Sequence, residues 1–286
     1  MMKFRKSLAL AAIAATALVL GACTVGRFAY NNASPAVTYI VDDYFDLSGT
    51  QEGWVRTRFE RLQAWHRTQE LPAYERDLRD AVARTERPLT IDDARWVNKT
   101  LRAYYKRMVD QALPDMADLL MQLDGDQVQR FEQRFAKESA KIEKEYGKGD
   151  PAVREKKRAD KVIDQIETYT GRLDDHQRDL VYGRVHFMTD VSAMRLADRQ
   201  RRQQMVVALV RSKPAKPEMI AGLRKVLIDT DSWRNPEYVK AIAKRDEEVG
   251  EMMVQLSATW KPDQRAEVQE KLRGYLNDVS ALIAVR

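Results

Sequence analysis

The chain of 286 residues holds one cysteine, Cys23, so no disulfide can form within it. Glycine (12 residues) and proline (9 residues) are sparse, which argues against a turn-rich β architecture and against low-complexity linkers. No stretch alternates apolar and polar residues convincingly, and no Asn-Gly pair marks a hairpin. Only three histidines occur, His66, His176 and His186, and none follows a glutamate by three residues, as di-iron bundles require. HExxH, P-loop and GxSxG signatures are missing as well, so zincin, nucleotide-hydrolase and serine-hydrolase motifs find no match.

What is present begins at the N-terminus. Lys3, Arg5 and Lys6 precede an apolar core from Leu8 to Leu20, interrupted only by Thr16. That core is shorter than the roughly 20 residues of a membrane-spanning helix and matches a secretory signal peptide. Its end, Leu20-Gly21-Ala22-Cys23, resembles the bacterial lipobox. The resemblance implies cleavage between Ala22 and Cys23, a diacylglycerol on the Cys23 thiol and a further acyl chain on the new N-terminus. Two or more chains anchor stably where one does not. Thr24, in place of aspartate, implies by the same resemblance sorting to the outer membrane. Removing the three basic residues of the leader leaves 46 Lys and Arg against 43 Asp and Glu, a net charge of +3. Such a balance does not point to nucleic acid, and no nucleotide motif appears.

The mature body reads as all-α, a multi-helix bundle of long amphipathic helices. Residues 23–47 form a lipidated start, a tether with a turn at Asn31-Asn32-Ala33-Ser34-Pro35, and an entry segment in which Val37, Ile40, Val41 and Tyr44 follow helical spacing. Helices are expected near 50–69, 72–85, 91–112, 114–122, 126–146, 151–171, 175–210, 216–229, 236–257 and 262–284, several opened by a first-turn proline. A sub-boundary is expected near 147–151. The polar run RLADRQRRQQ in the helix at 175–210 is expected to face water.

One helix start recurs: LSGTQ from Leu47, LDGDQ from Leu123 and LDDHQ from Leu173, with looser copies at LTIDD from Leu89 and WKPDQ from Trp260. Ser48 with Gln51, Asp124 with Gln127 and Asp174 with Gln177 fit the capping box; Thr90 lacks the closing glutamine. Apolar residues follow four and eight positions on, as in Val55 and Phe59, Val97 and Leu101, or Val181 and Val185, so each pair shares a helix face. Capping alone accounts for the pattern. The recurrence also resembles the periplasmic stress proteins named for an LTxxQ motif, which implies ATP-independent holding of unfolded clients. A further resemblance, carried by Asp42-Asp43-Tyr44, Leu47 to Gln51, Trp65-His66 and Glu70-Leu71-Pro72-Ala73-Tyr74, is to an uncharacterised family of proteobacterial outer-membrane lipoproteins. It implies fold and location, and no activity.

Candidate partner-binding residues are Asp42, Asp43, Tyr44, Trp54, Trp65, His66 and Tyr74. The acidic group with Asp46 suits helix-start electrostatics before calcium binding or acid–base work. His66 with Glu70, and His186 with Asp190, suit a helix-surface ion pair or a half-buried histidine before a metal site. The stripe of Trp54, Phe59, Leu62, Trp65 and Tyr74 suits core packing before a groove. The reading is a non-enzymatic, periplasm-facing binding or chaperone-like scaffold, held to the membrane by Cys23 and needing no cofactor or metal. Its partner is a protein or another envelope component. A metal-dependent or hydrolytic enzyme acting on envelope material, and a structural partner of an outer-membrane complex, are the alternatives.

Overall fold

The computed structural model describes residues 25–146 and 150–285. They are almost wholly helical, with no strand among the described residues, so the all-α reading holds. The helices are α1 (Val25–Asn31), α2 (Ala33–Phe45), α3 (Gly49–Trp65), α4 (Leu71–Arg84), α5 (Ile91–Met121), α6 (Gly125–Tyr146), α7 (Pro151–Thr170), α8 (Asp175–Phe187), α9 (Ser192–Arg211), α10 (Lys216–Leu227), α11 (Pro236–Ala258) and α12 (Pro262–Ala284). The long α5 is the axis: α3, α10 and α11 pack on it, while α12 lies along α4 and touches α7 and α1.

Apolar side chains collect in separate cores. Ile163 of α7, Val181 and Val185 of α8 and Leu256 of α11 form one; Leu113 and Ala117 of α5 with Met219 and Leu223 of α10 form a second. A third joins Tyr30 of α1, Leu71 and Tyr74 of α4, and Val279 and Leu282 of α12. Leu47, Val55 and Leu119 form a small fourth core, with Trp54 against it.

Five expectations need correction. The helical spacing of the entry segment holds in α2, but residues 25–31 are helix rather than tether and the predicted turn shrinks to Asn32, because Pro35 falls in the first turn of α2, where a missing N–H costs nothing. Pro114 does not separate two helices but sits inside α5, where burial of Leu113 and Ala117 beside it outweighs its cost of roughly 3 kcal/mol. The helices expected at 50–69 and 72–85 are joined without a gap by a five-residue π turn, His66–Glu70, closed by the Leu71 N–H donating to the His66 carbonyl. Widening the turn just before Pro72 relieves the crowding a proline imposes on the preceding turn.

The helix predicted over 175–210 breaks at Met188, whose backbone is extended. Met188 and Val191 turn into the core, the Thr189 N–H donates to Glu248 at 2.7 Å, and the Asp190 carboxylate accepts from the Ser192 N–H at 2.9 Å. The polar run beyond it does not face water throughout. Asp198 is buried between Arg202 and Arg234, and Arg199 donates at 2.6 Å to Glu138, itself buried on α6. The expected sub-boundary near 147–151 falls largely on residues 147–149, outside the described residues.

Candidate functional site

The recurring helix starts are capping boxes as read. The Gln51 N–H donates to Ser48 Oγ at 3.3 Å while the Ser48 N–H donates to Gln51 Oε1 at 2.9 Å, and the reciprocal bonds close at Asp124 with Gln127 and at Asp174 with Gln177. At Thr90 the aspartate Asp93 takes the glutamine's part, accepting from the Thr90 N–H at 2.8 Å. Asp93 is buried, and Arg87, then Arg84 and Thr90, hold its carboxyl well below the usual carboxylate range. At the fifth start the Lys261 N–H donates to Gln264 Oε1 at 3.1 Å; a lysine side chain has no acceptor, so only half of a box forms.

The glutamines also do something no local pattern foretells. Their side-chain amides pair across the fold, each donating to and accepting from the other. Gln51 meets Gln127 at 3.2 and 2.7 Å, and Gln177 meets Gln264 at 2.8 and 2.9 Å. The second pair is buried and adds bonds from Gln177 to the Thr259 carbonyl and from Gln264 to the Arg172 carbonyl, both 3.0 Å. Only an amide serves here, since it both accepts the cap and donates to its partner. Leu47, Leu123 and Leu173, one residue ahead of the caps, are buried; Leu89 is half-buried, and its N–H donates to Ser257 Oγ at 2.9 Å.

The candidate partner-binding residues fall in two places. In the first, Asp42 accepts from the Leu47 N–H at 2.8 Å, Asp43 pairs with Arg134 at 2.6 Å, and Asp46 takes a left-handed turn and pairs with Arg130 at 2.8 Å. These carboxylates therefore end α2 and bind arginines of α6 rather than converging on an ion. The Tyr44 hydroxyl donates to Glu138 at 2.6 Å, and burial and that carboxylate push the phenol far up; its ring packs with Phe45, Phe131 and Phe135. Trp54 lies under the Arg58 guanidinium at 5.0 Å. Trp65, partly exposed, precedes the π turn.

The second place gathers His66, Tyr74 and Tyr30. Tyr30 donates its hydroxyl to the Gln63 carbonyl at 3.2 Å and lies 3.1 Å from His66 Nδ1; the Tyr74 hydroxyl lies 3.4 Å from Nε2. With the Tyr30 proton on Gln63, Nδ1–H donates to Tyr30 and Nε2 accepts from Tyr74, so both nitrogens of a neutral imidazole are satisfied. Burial lowers the His66 pKa to about 4, against the pull of Glu70. Glu70 is not a surface partner of His66: it is buried in a two-bond pair with Arg107, at 2.7 and 2.8 Å. His186 pairs with Glu155 at 2.8 Å rather than with Asp190.

Tyr74 also faces outward into an apolar groove of about 270 Å³. From α4 come Tyr74, Asp77, Leu78 and Ala81; from α5, Trp96, Val97, Thr100, Leu101 and Tyr104. The far wall is α12, with Leu272, Tyr275, Asp278, Val279 and Leu282, and Tyr169 and Gly26 complete the lining. Among the described residues, no lysine, arginine or histidine lines it. Val97 is 43% and Leu101 55% exposed, and the face this pair shares lines the groove. The Tyr104 hydroxyl donates to Asp77, and Asp278, raised by burial, pairs with Arg27 at 3.3 Å. The sequence carried a trace of this wall in Trp96, Thr100 and Tyr104, four residues apart on one helix face.

Among the described residues no group of three or more His, Cys, Asp or Glu is placed to hold a metal ion, and no helix is long and apolar enough to cross a membrane. Ala22 and Cys23 lie outside the described residues. No curated protein and no solved structure matches the chain. A family model covers residues 43–239, a span that holds the π turn and the first three glutamine starts, and by that match the chain belongs to the family of unknown function DUF6279.

Proposed function

We propose that the chain is a lipoprotein of the cell envelope, anchored through acyl chains on Cys23 and facing the periplasm, whose helical body is a non-enzymatic binding protein. The groove between α4, α5 and α12 supports this reading: an apolar concavity with two large aliphatic residues exposed at its mouth is unusual on a surface otherwise dense in charge. In this reading the groove holds an apolar part of another envelope component, without nucleotide, metal or nucleic acid. In this reading the buried His66 cluster is structural: its hydrogen bonds to Tyr30 and Tyr74 are satisfied internally, leaving no group poised for acid–base work.

The test is suppression of aggregation. The mature body, residues 24–286, is mixed with a denatured client in the absence of ATP and light scattering is followed. The reading expects scattering to fall, and to recover when Val97→Asp and Leu101→Asp are combined. Unchanged scattering at stoichiometric excess of the body removes the chaperone-like form.

A further inference from the structure

The chemistry of the groove restricts what it takes. Its principal walls are helices, whose backbone groups are paired within themselves, so it offers no free main-chain edge to an extended peptide. Its two carboxylates are spoken for: Asp77 accepts from Tyr104, and Asp278 pairs with Arg27. Among the described residues of the wall, the ionisable groups other than tyrosine are the two acids Asp77 and Asp278. Such a site accepts hydrocarbon and tolerates the neutral ester or amide linkage of a bound acyl chain, which needs no charged partner.

The origin of α1 supplies the occupant. Gly26 lines the groove and lies three residues after Cys23. Three residues span at most about 10 Å when extended, well within the length of a membrane acyl chain. We infer that the groove between α4, α5 and α12 is a seat for one acyl chain carried on the protein's own residue Cys23. This rests on the lipoprotein reading above. It gives the protein two arrangements, one with all chains in a bilayer and the groove open, the other with one chain withdrawn into the groove; a client of the groove then competes with the anchor.

The experiment uses the full chain made in bacteria fed a palmitate analogue that carries a photoreactive diazirine. Intact mass first establishes the acyl groups on Cys23; a mature chain without them overturns both the lipoprotein reading and this one. The lipidated protein is placed at one copy per detergent micelle, irradiated, digested and mapped by mass spectrometry. The expected result is insertion concentrated on groove residues such as Val97, Leu101 and Leu272, and at least a fivefold loss of it in the Val97→Asp, Leu101→Asp variant with unchanged circular dichroism. Insertion confined to outward residues such as Phe28 and Tyr39 overturns the inference. A second arm puts protein bearing ordinary acyl chains into vesicles with a photoreactive phospholipid: groove labelling equal to the first arm assigns the site to bilayer lipid and overturns occupancy by the protein's own chain. The scattering assay remains independent of these outcomes.

Discussion

Replacing Gln177 by glutamate tests the paired-amide lock at its most buried point. Gln177 is 1% exposed, and its amide donates to the Thr259 carbonyl at 3.0 Å, Thr259 Oγ1 at 3.3 Å and Gln264 Oε1 at 2.8 Å. A glutamate keeps the acceptor that caps the Asp174 N–H but sets a carboxylate against three oxygens. The folded protein escapes the buried charge by protonating it. From an ordinary pKa near 4.3, that costs about 4 kcal/mol at pH 7.5, and one lost donor adds about 1 kcal/mol. At roughly 2 °C per kcal/mol for a chain of this size, Tm falls by about 10 °C. The folded pKa of the new carboxyl lies above its unfolded value, so the penalty is absent below the unfolded pKa and grows as pH rises toward the folded one. At pH 5 the protonation cost drops to about 1 kcal/mol, and the gap between variant and wild type narrows to about 4 °C. Thermal unfolding by circular dichroism at the two pH values reads both numbers. A variant within 2 °C of wild type at pH 7.5, or a gap that does not shrink at pH 5, would falsify the view that these glutamines work as buried reciprocal amides.

Other expectations follow from the same geometry. His66, with a folded pKa of about 4 against about 6.5 unfolded, lets the unfolded chain take up a proton first, so stability falls as pH drops from about 6.5 to 4, by about 3 kcal/mol in all; denaturant titrations of His66→Gln should show a flatter profile across that window. Asp93→Asn leaves Arg84 and Arg87 facing a neutral amide in a buried position, and urea unfolding should register a loss of about 2 kcal/mol, discounted from the usual cost because both arginines are partly exposed. Val97→Asp with Leu101→Asp, both at exposed positions, should change stability by less than about 1 kcal/mol while abolishing most of the fluorescence gain of an apolar dye; an unaltered dye response refutes a groove open at this mouth. Gly250→Ala places a Cβ 3.0 Å from Ala94 Cβ and 3.1 Å from Ile91 Cδ1, so it should lower Tm despite the better helix propensity of alanine.

The helix starts were legible because a capping box is complete within four residues: Ser48 and Gln51 carry their whole geometry locally. The meeting of Gln177 with Gln264 was not, since it joins residues 87 apart, and neither cap hints at the other. The same distinction explains Val97 and Leu101. Their spacing from Asp93 places them on one face, as read, but which neighbour covers that face depends on where α12 lies. Arg107 shows the reverse error: Glu70 four residues after His66 suggested a local pair, and a long-range arginine took the carboxylate instead. Pro114 inside α5 and the break at Met188 fail for a common reason, because tertiary burial of Leu113, Met188 and Val191 overrides local helix signals.

The π turn at His66–Glu70 carries a consequence for how this molecule tolerates change. One surplus residue in a helical rod turns everything downstream by about 100° relative to everything upstream. Tyr74, Asp77, Leu78 and Ala81 point at α12 and α5 through that rotation. Shortening the rod by one residue there would swing the whole row away and dismantle the concavity with every lining side chain still in place, so length at this spot is under as tight a constraint as identity is elsewhere.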